Sequence, residues 1–307
     1  MVRRWLCSQA YAKINLHLEI GDSRPDGYHN LISLFHLISL SDSIAVYAEA
    51  SDQFSCSIKG QPDIDSEKNL MFVAAQAFCE SIGKPLAVTI DIIKRIPMKA
   101  GLGGGSSDAA CILRLLNELE QQPLDAMALN DLAIAIGSDV PFFVADVPVA
   151  IVRGKGNRIE ALKARKDLWC LIAVPRGDGI STREAFARFD HMRDVGKVDH
   201  HLSLSNSQLT ESYASGCGTW PFFNDFTGVL DEQNRLWWER VNEKTEKTEC
   251  LYTNLSGSGS AFVWISSISQ ELNQISQIIK HQDNNITLYM TKCLHTGQTD
   301  GTFWVMR

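Results

Sequence analysis

The chain has 307 residues, 45% of them hydrophobic and 21% charged, with a formal net charge of −7. That composition suits an enzyme-sized globular protein with room for two domains, and the negative balance argues against a broad nucleic-acid surface, so any anion site has to be local. Eight cysteines (Cys7, Cys56, Cys79, Cys111, Cys170, Cys217, Cys250 and Cys293) form no Cys-x-x-Cys pair and read as reduced core thiols of a cytoplasmic protein. The N-terminal arginines have no apolar run behind them, and no stretch approaches the ~18 apolar residues of a membrane span, so neither export nor membrane insertion is expected.

Residues 10–20 alternate, Ala12, Ile14, Leu16, Leu18 and Ile20 against Lys13, Asn15, His17 and Glu19, which predicts a half-buried strand. Arg24-Pro25-Asp26-Gly27-Tyr28-His29 is a turn, and 31–40 returns as an apolar strand, giving a hairpin. Leu70, Val73, Ala74, Ala77 and Phe78 recur at helical spacing and predict a helix over 69–82, which leads through Gly83-Lys84-Pro85 into a strand over 88–93. After a glycine cluster comes a second helix, with Ala109, Ile112, Leu113, Leu116 and Leu119 on its buried face and Arg114, Asn117 and Glu118 in solvent. A third, over 125–136, stops at Gly137 before Ser138-Asp139-Val140-Pro141-Phe142-Phe143.

The second half gives β-like segments over 148–153 and 169–174, around a charge-rich 161–167 that reads as a domain boundary. The segment 191–215 is polar and poor in large apolar residues. An exposed amphipathic helix is expected over 236–249, with Leu236, Trp237 and Val241 inward. Leu251 and Tyr252 lead to a Ser-Gly loop over 254–260, a strand over 261–265, a helix over 269–280 and a strand over 286–290. With no internal repeat, the order points to an α+β fold.

The chemistry concentrates in Pro97-Met98-Lys99-Ala100-Gly101-Leu102-Gly103-Gly104-Gly105-Ser106-Ser107, between the 88–93 strand and a helix. Glycines let backbone N–H groups approach an anion, two serines are placed to cap the helix, and the helix N-terminus adds positive potential, so the loop reads as a phosphate cradle. Its competitor is a plain glycine turn. Neither a Walker A loop nor a dinucleotide fingerprint occurs. Lys13 shares the polar face of the first strand with Asn15 and His17, where a solvated lysine is the ordinary alternative. Asp139 follows a helix stop, where a turn aspartate is the ordinary alternative. Ser256-Gly257-Ser258-Gly259-Ser260 lies between apolar strands and reads as a second backbone-rich anion contact. Tyr28 beside His29 is a pair that suits stacking on a planar base and bonding its edge. His191, His200 and His201 lack metal-spaced partners and read as surface, and no zinc site is expected.

Three ordered segments, Ala10-Tyr11-Ala12-Lys13-Ile14-Asn15-Leu16, Pro97 to Ala110 and Leu255 to Ala261, resemble the three motifs of the GHMP kinases. Arg24 to Leu31, the triple glycine before Ser106-Ser107 and Ile136 to Phe143 are similar to the branch whose acceptor is 4-diphosphocytidyl-2-C-methyl-D-erythritol, in the non-mevalonate route to isoprenoids. The resemblance is strong over 10–186 and 251–265 and gives nothing to quote over 193–249. It implies a two-domain architecture: an ATP-binding domain like ribosomal protein S5 domain 2 over 1–163, and a ferredoxin-like substrate-side domain over 164–307. It also implies ATP and Mg²⁺ as cofactors and phosphorylation of the acceptor's 2-hydroxyl.

Carried onto this sequence, the resemblance makes Asp139 the catalytic base and Lys13 its cationic neighbour. Backbone N–H groups from Gly101 to Ser107 would hold the phosphates, with Ser107 or Asp139 the candidate magnesium contact. Pro97, Met98, Lys99 and Ala100 belong to the same nucleotide loop, and Asn69, Lys94 and Met98 would lie near adenine or ribose. Tyr28 and Phe186 would stack on cytosine, His29 would bond its edge, and Asn15, Gly257 and Ser258 would place the acceptor beside Asp139. The partner implied is a small molecule with a cytidyl group, with no nucleic acid or membrane; no oligomeric state is implied. Another small-alcohol kinase of the homoserine or mevalonate type, or a catalytically silent nucleotide binder, stays open as the alternative.

Overall fold

Two long antiparallel strands, β1 (Trp5–Ser23) and β2 (His29–Ala50), organise the first half of the molecule. The computed structural model describes residues 4–60, 68–175, 181–196, 203–215, 220–245, 248–283, 285–297 and 304–306; Cys217, His200 and His201 lie outside them. After β2 come β3 (Ser55–Lys59), α1 (Leu70–Ser81), β4 (Leu86–Ile93), α2 (Gly104–Leu119), α3 (Ala126–Ile136), α4 (Val140–Val144), β5 (Val149–Gly154) and β6 (Arg158–Ala161). The 22-residue β2 is long enough to take two partners end to end on one edge, β5 along Leu31–His36 and β4 along Ser43–Ala50, while β1 runs along its other edge. With β11 (Trp304–Met306) paired to the start of β1, these strands make a seven-stranded sheet.

The remaining elements are β7 (Trp169–Pro175), α5 (Thr182–Asp194), α6 (Asn206–Ala214), a 3₁₀ turn at Asp225–Val229, α7 (Glu232–Thr245), β8 (Tyr252–Leu255), β9 (Phe262–Ser266), α8 (Ser269–Gln282) and β10 (Ile286–Lys292). Strands β10, β7, β9 and β8 form a second, antiparallel sheet. The two sheets and the helices over them give the α+β architecture. No described helix is long and apolar enough to cross a membrane.

Three apolar clusters hold the elements together. In the first, α1 and α2 place Phe78, Ile112 and Leu116 on Val46, Ile90 and Val88 of the large sheet. The second lies between the sheets, where Ile14, Leu16 and Ile151 meet Ile172, Val263 and Ile265. The third packs Leu18 and Ile20 with Phe189, Phe226 and Phe262. Burial of this kind yields roughly 1.5–3 kcal/mol per large side chain.

Several expectations are corrected. The first strand is buried on both faces along Ala12–Leu18, because the second sheet covers one side and two loops cover the other. A β-bulge between Asn15 and His17 also breaks its alternation, so His17 leaves the company of Lys13 and Asn15 and packs on Phe222 and Phe223. Asn117 is buried rather than solvated: its amide accepts from Leu124 N at 3.0 Å and donates to Leu124 O at 3.0 Å, locking the turn after α2. The polar 191–215 stretch contains the end of α5 and all of α6, whose capping box at Ser205 and buried Leu209 and Tyr213 hold the helix. In α7 the inward residues are Trp237, Trp238 and Val241, while Leu236 is exposed. The seven described cysteines are unpaired, and burial pushes their thiols up, Cys56 to about 12 and Cys111 to about 11.

Candidate active site

The middle of β1, the glycine loop and the Ser-Gly loop are stitched to one another mainly by backbone groups. Lys13 N donates to Leu102 O at 3.0 Å and Ala261 N donates to Ala100 O at 3.2 Å. Ser256 Oγ accepts from Asn15 N at 3.3 Å and donates to Gly101 O at 3.2 Å. Such close approach requires glycine. Gly101 has φ +73° and a Cβ there would stand 2.0 Å from Ser256 O; Gly103 has φ +69° and its Cβ would meet Lys13 Cγ and Phe143 Cζ at 2.9 Å.

Gly103 is the N-cap of α2 in the left-handed conformation, so the helix starts at Gly104 and the serines do not cap it. Ser106 and Ser107 lie inside its first turn, and Ser107 N already donates to Gly103 O at 2.9 Å. No side chain caps the first turn, which leaves the N–H groups of Gly104, Gly105 and Ser106 pointing along the helix axis for an anion. Asn69 caps α1 by accepting from Met71 N at 3.0 Å, and Leu70 beside it touches the Gly105 position, so the start of α1 borders the cradle. Met98 lies exposed on the rim, and Lys99 takes φ +53°.

Beneath the loop is a charged cluster that the motif reading missed. Asp42, fully buried, accepts from Arg95 N at 2.6 Å, Ile96 N at 2.9 Å and Lys94 Nζ at 2.5 Å, while Lys94 Nζ also donates to Asp108 at 2.7 Å. Burial pushes the Asp108 carboxyl up to about 7 against the pull of Lys94, with Asp42 adding to the rise. Burial lowers the Lys94 ammonium, but Asp108 and Asp42 together carry it above its ordinary value. The available signals were a lone carboxylate within the 31–48 run at Asp42 and another directly after the two serines at Asp108.

Lys13 is buried. Its Nζ donates to Asn15 Oδ1 at 2.6 Å, lies 4.5 Å above the Phe35 ring and stands 3.4 Å from Asp139 Oδ2. Asn15 in turn donates to Ser33 Oγ at 2.9 Å, so the lysine's nearest partner is itself fixed. Asp139 is the N-cap residue of α4 but makes no capping bond; its carboxylate is 32% exposed and faces Lys13. The buried Lys13 side chain, held against the part-exposed Asp139 carboxyl, fixes that carboxyl's orientation. Gly257 lies next to Asn15, its carbonyl accepting from Asn224 Nδ2 at 2.8 Å. Ser258 Oγ is 3.2 Å from Thr182 Oγ1 at the start of α5.

Helix α5 supplies the facing wall. The Phe186 ring stacks on His29, with centroids 5.0 Å apart and planes 9° from parallel, and His29 Nε2 donates to Asp190 Oδ1 at 2.9 Å. Tyr28 is exposed, and Lys155 lies 5.4 Å over its ring. The structure therefore gathers Lys13, Asn15, Gly101–Ser107, Asp139 and Gly257 at one place and stacks His29 on Phe186 at a second wall, while the Tyr28 ring faces Lys155 and the residues around Gly137 and Ser138. Lys94 is committed to the carboxylates below the loop. His191 is exposed on α5.

For a magnesium ion the fit is good. The Ser107 hydroxyl is buried with no protein partner, and Asp139 offers a carboxylate; Mg²⁺ characteristically takes one or two protein oxygens and fills its shell with water and phosphate. No group of three or more His, Cys, Asp or Glu among the described residues makes an all-protein metal cage.

A family model described as the GHMP kinases N terminal domain matches residues 69–154. The 4-diphosphocytidyl-2-C-methyl-D-erythritol kinase of Desulfitobacterium hafniense (strain Y51) is 33% identical over 306 residues, 98% of this chain and 100% of that one. The enzyme of the same name from Thermosipho africanus (strain TCF52B) is 39% identical over 282 residues, 91% of this chain and 97% of that one. A crystal structure of 4-(cytidine 5'-diphospho)-2C-methyl-D-erythritol kinase superposes with a TM-score of 0.71 at 28% identity, covering 93% of this chain and 99% of that chain. Likeness of this extent, running through both sheets and the loops that meet at Lys13, shows that the chain belongs to the 4-diphosphocytidyl-2-C-methyl-D-erythritol kinase family of GHMP kinases.

Proposed function

We propose that the chain transfers the γ-phosphoryl group of ATP to the 2-hydroxyl of 4-diphosphocytidyl-2-C-methyl-D-erythritol, the substrate that its relatives' names carry. The single observation that carries this reading is the Lys13 Nζ to Asp139 Oδ2 contact of 3.4 Å beside the uncapped N-terminus of α2. The phosphates take the free N–H groups of the glycine loop, with Asn69 and Met98 at the border where the nucleoside lies. Lys94 supports the loop from below through Asp42 and Asp108. Ser107 and Asp139 would hold magnesium, which supplies charge neutralisation of the phosphates when bound.

Phosphoryl transfer has a loose transition state, so positioning and electrostatics do most of the work. A side-chain carboxylate such as that of Asp139 is far too weak a base to ionise an alcohol in advance. It orients the acceptor hydroxyl and takes its proton late, as the new P–O bond forms. Lys13 holds Asp139 in place, and Asn15, Gly257 and Ser258 fix the acceptor's approach.

Acceptor choice rests on the α5 wall. With Nε2 donating to the Asp190 carboxylate, the Nε2–H tautomer of His29 presents Nδ1 as an acceptor. That matches the exocyclic amine of cytosine and opposes the carbonyl that uracil carries there. Phe186 stacks on this ring, and Tyr28, the next residue, is exposed for contact with the base. The test is ADP formation with 4-diphosphocytidyl-2-C-methyl-D-erythritol, mevalonate, homoserine and galactose in parallel, on wild type and Asp139→Asn. Turnover with the cytidyl acceptor, falling at least about 10²-fold in the variant with ATP affinity retained, is expected. Near-normal turnover in Asp139→Asn removes the base role, and preference for another acceptor removes the substrate.

A further inference from the structure

We propose that the large sheet carries a second anion site on the face turned away from Lys13, in a cavity lined by Arg24, Arg153 and Arg158, and that it takes a small diphosphate. The cavity measures about 320 Å³.

Its separation from the phosphoryl-transfer site follows from register. On β2, Ser33 bonds Asn15 and Phe35 lies under the Lys13 ammonium, so these odd-numbered residues face the catalytic side. Their β5 partners are Val152 and Ala150. The pair next to Ser33 and Val152, Ile32 and Arg153, points the other way, and Ile32 packs with the Ile14 and Leu16 cluster between the sheets. Arg158 is the cross-strand partner of Arg153 on β6, so it shares that face.

Arg24 is ion-paired with Asp26, but the other two arginines are not balanced. Arg153 and Arg158 sit directly opposite each other, an arrangement that costs stability between like charges unless something negative lies nearby. Neither makes an ion pair with a described carboxylate. Arg153 donates through Nη2 to Asn206 Oδ1, but its Nε is buried with no partner. The nearby carboxylates are engaged elsewhere: Glu160 accepts from Asn206 Nδ2 at 2.5 Å, and Glu19, beyond Ile32 in the same cross-strand row, accepts from Ser203 Oγ at 2.9 Å. Arg24 closes the other side, with Nη1 on Asn30 Oδ1 at 3.1 Å and Nε on Asp26 at 3.1 Å.

Three guanidinium groups around one cavity, one of them with a buried unused N–H, is the donor set of a phosphate site, since the planar fork matches phosphoryl oxygens. The volume stands at the small end of ligand pockets, roughly 300–1,000 Å³, which suits two linked phosphoryl groups touching arginines on both sides.

The probe is inorganic pyrophosphate, titrated calorimetrically without magnesium into full-length protein saturated with a non-hydrolysable ATP analogue, so that the α2 N-terminus is occupied. The expected result is one pyrophosphate per chain, bound at least about tenfold more weakly by Arg158→Ala and by Arg153→Gln. Arg158 is exposed and makes no side-chain bond among the described residues, so Arg158→Ala folds and retains phosphoryl transfer in the absence of pyrophosphate. Absence of binding to the analogue-saturated protein, or equal affinity in Arg158→Ala, overturns the proposal. Failure of the kinase reading would appear instead in the Asp139 assay, and pyrophosphate bound at an unfilled α2 N-terminus would keep its affinity in Arg158→Ala.

Discussion

Replacing Gly101 by alanine tests whether the two glycine loops form one interlocked unit. The added Cβ would lie 2.0 Å from the Ser256 carbonyl oxygen and 2.9 Å from its carbon, at φ +73°. The left-handed conformation costs an L-residue about 1–2 kcal/mol. Ordinary contact needs roughly 3.5 Å, so one backbone has to retreat by more than about 1 Å. That retreat strains or breaks the bonds Ser256 Oγ to Gly101 O and Ala261 N to Ala100 O, each worth about 0.5–1.5 kcal/mol. The sum is a loss of about 2–5 kcal/mol in urea unfolding, together with weakened ATP binding by calorimetry. Gly105→Ala is the control: its Cβ would meet only Leu70 Cδ1 at 3.7 Å, in a helix where alanine gains about 0.5–1 kcal/mol over glycine. If Gly101→Ala unfolds at the wild-type urea concentration, the loops are not locked by backbone approach.

Lys94→Met strips the shared cation from two buried carboxylates and is expected to lose about 3–5 kcal/mol in urea unfolding, whereas Asp108→Asn loses far less, because the Asp108 carboxyl, pushed up to about 7, is already partly protonated at neutral pH. Equal losses in the two variants would refute that ranking. His36 is buried with Nδ1 donating to Leu37 O and Nε2 accepting from Tyr213 OH, and burial drives it from 6.5 to about 4. Below about pH 6.5 the unfolded chain takes a proton that the folded chain refuses, so stability is full above that value and falls by about 3 kcal/mol as pH drops toward 4. Asp108 acts in the opposite sense over much of the same window, so the difference between wild type and His36→Gln, followed by unfolding at several pH values, isolates the histidine; parallel pH curves for the two would sink the assignment. His29→Ala should raise KM for the cytidyl acceptor and spare KM for ATP, and an equal rise in both would contradict base recognition at that wall.

The elements with a single strong period were legible in the sequence. Helix α1, β4, α3 and α8 lie within a few residues of their periodic runs, and Asn69 and Gly137 mark ends as caps should. What escaped was set by tertiary contact. Nothing local says that Asn117 turns inward to bond Leu124, or that Gly103, by taking φ +69°, starts α2 before the serines. Helix α6 is polar in composition because only Leu209 and Tyr213 face the core. Of the site, the loops and the Lys13 and Asp139 positions were visible as motifs, while the Asp42–Lys94–Asp108 cluster joins residues 66 apart in sequence, and its two carboxylates show locally only as isolated charges with nothing to say that they meet.

The bulge after Asn15 has a larger effect than its size suggests. Before it, Lys13 and Asn15 face the glycine loops while Ile14 and Leu16 fill the space between the sheets. After it, the even residues Leu18 and Ile20 turn toward Phe189 and Phe226, and Glu19 joins the row that holds Ile32 and Arg153. A regular strand would keep His17 beside Asn15, putting an imidazole into the acceptor's approach and Leu18 into the core between the sheets. By inserting one residue, β1 offers polar groups to the phosphoryl-transfer site over its first half and an apolar face to the α5 side over its second. One strand thereby sets the distance between the place where phosphate is transferred and the wall on which the acceptor's base is read.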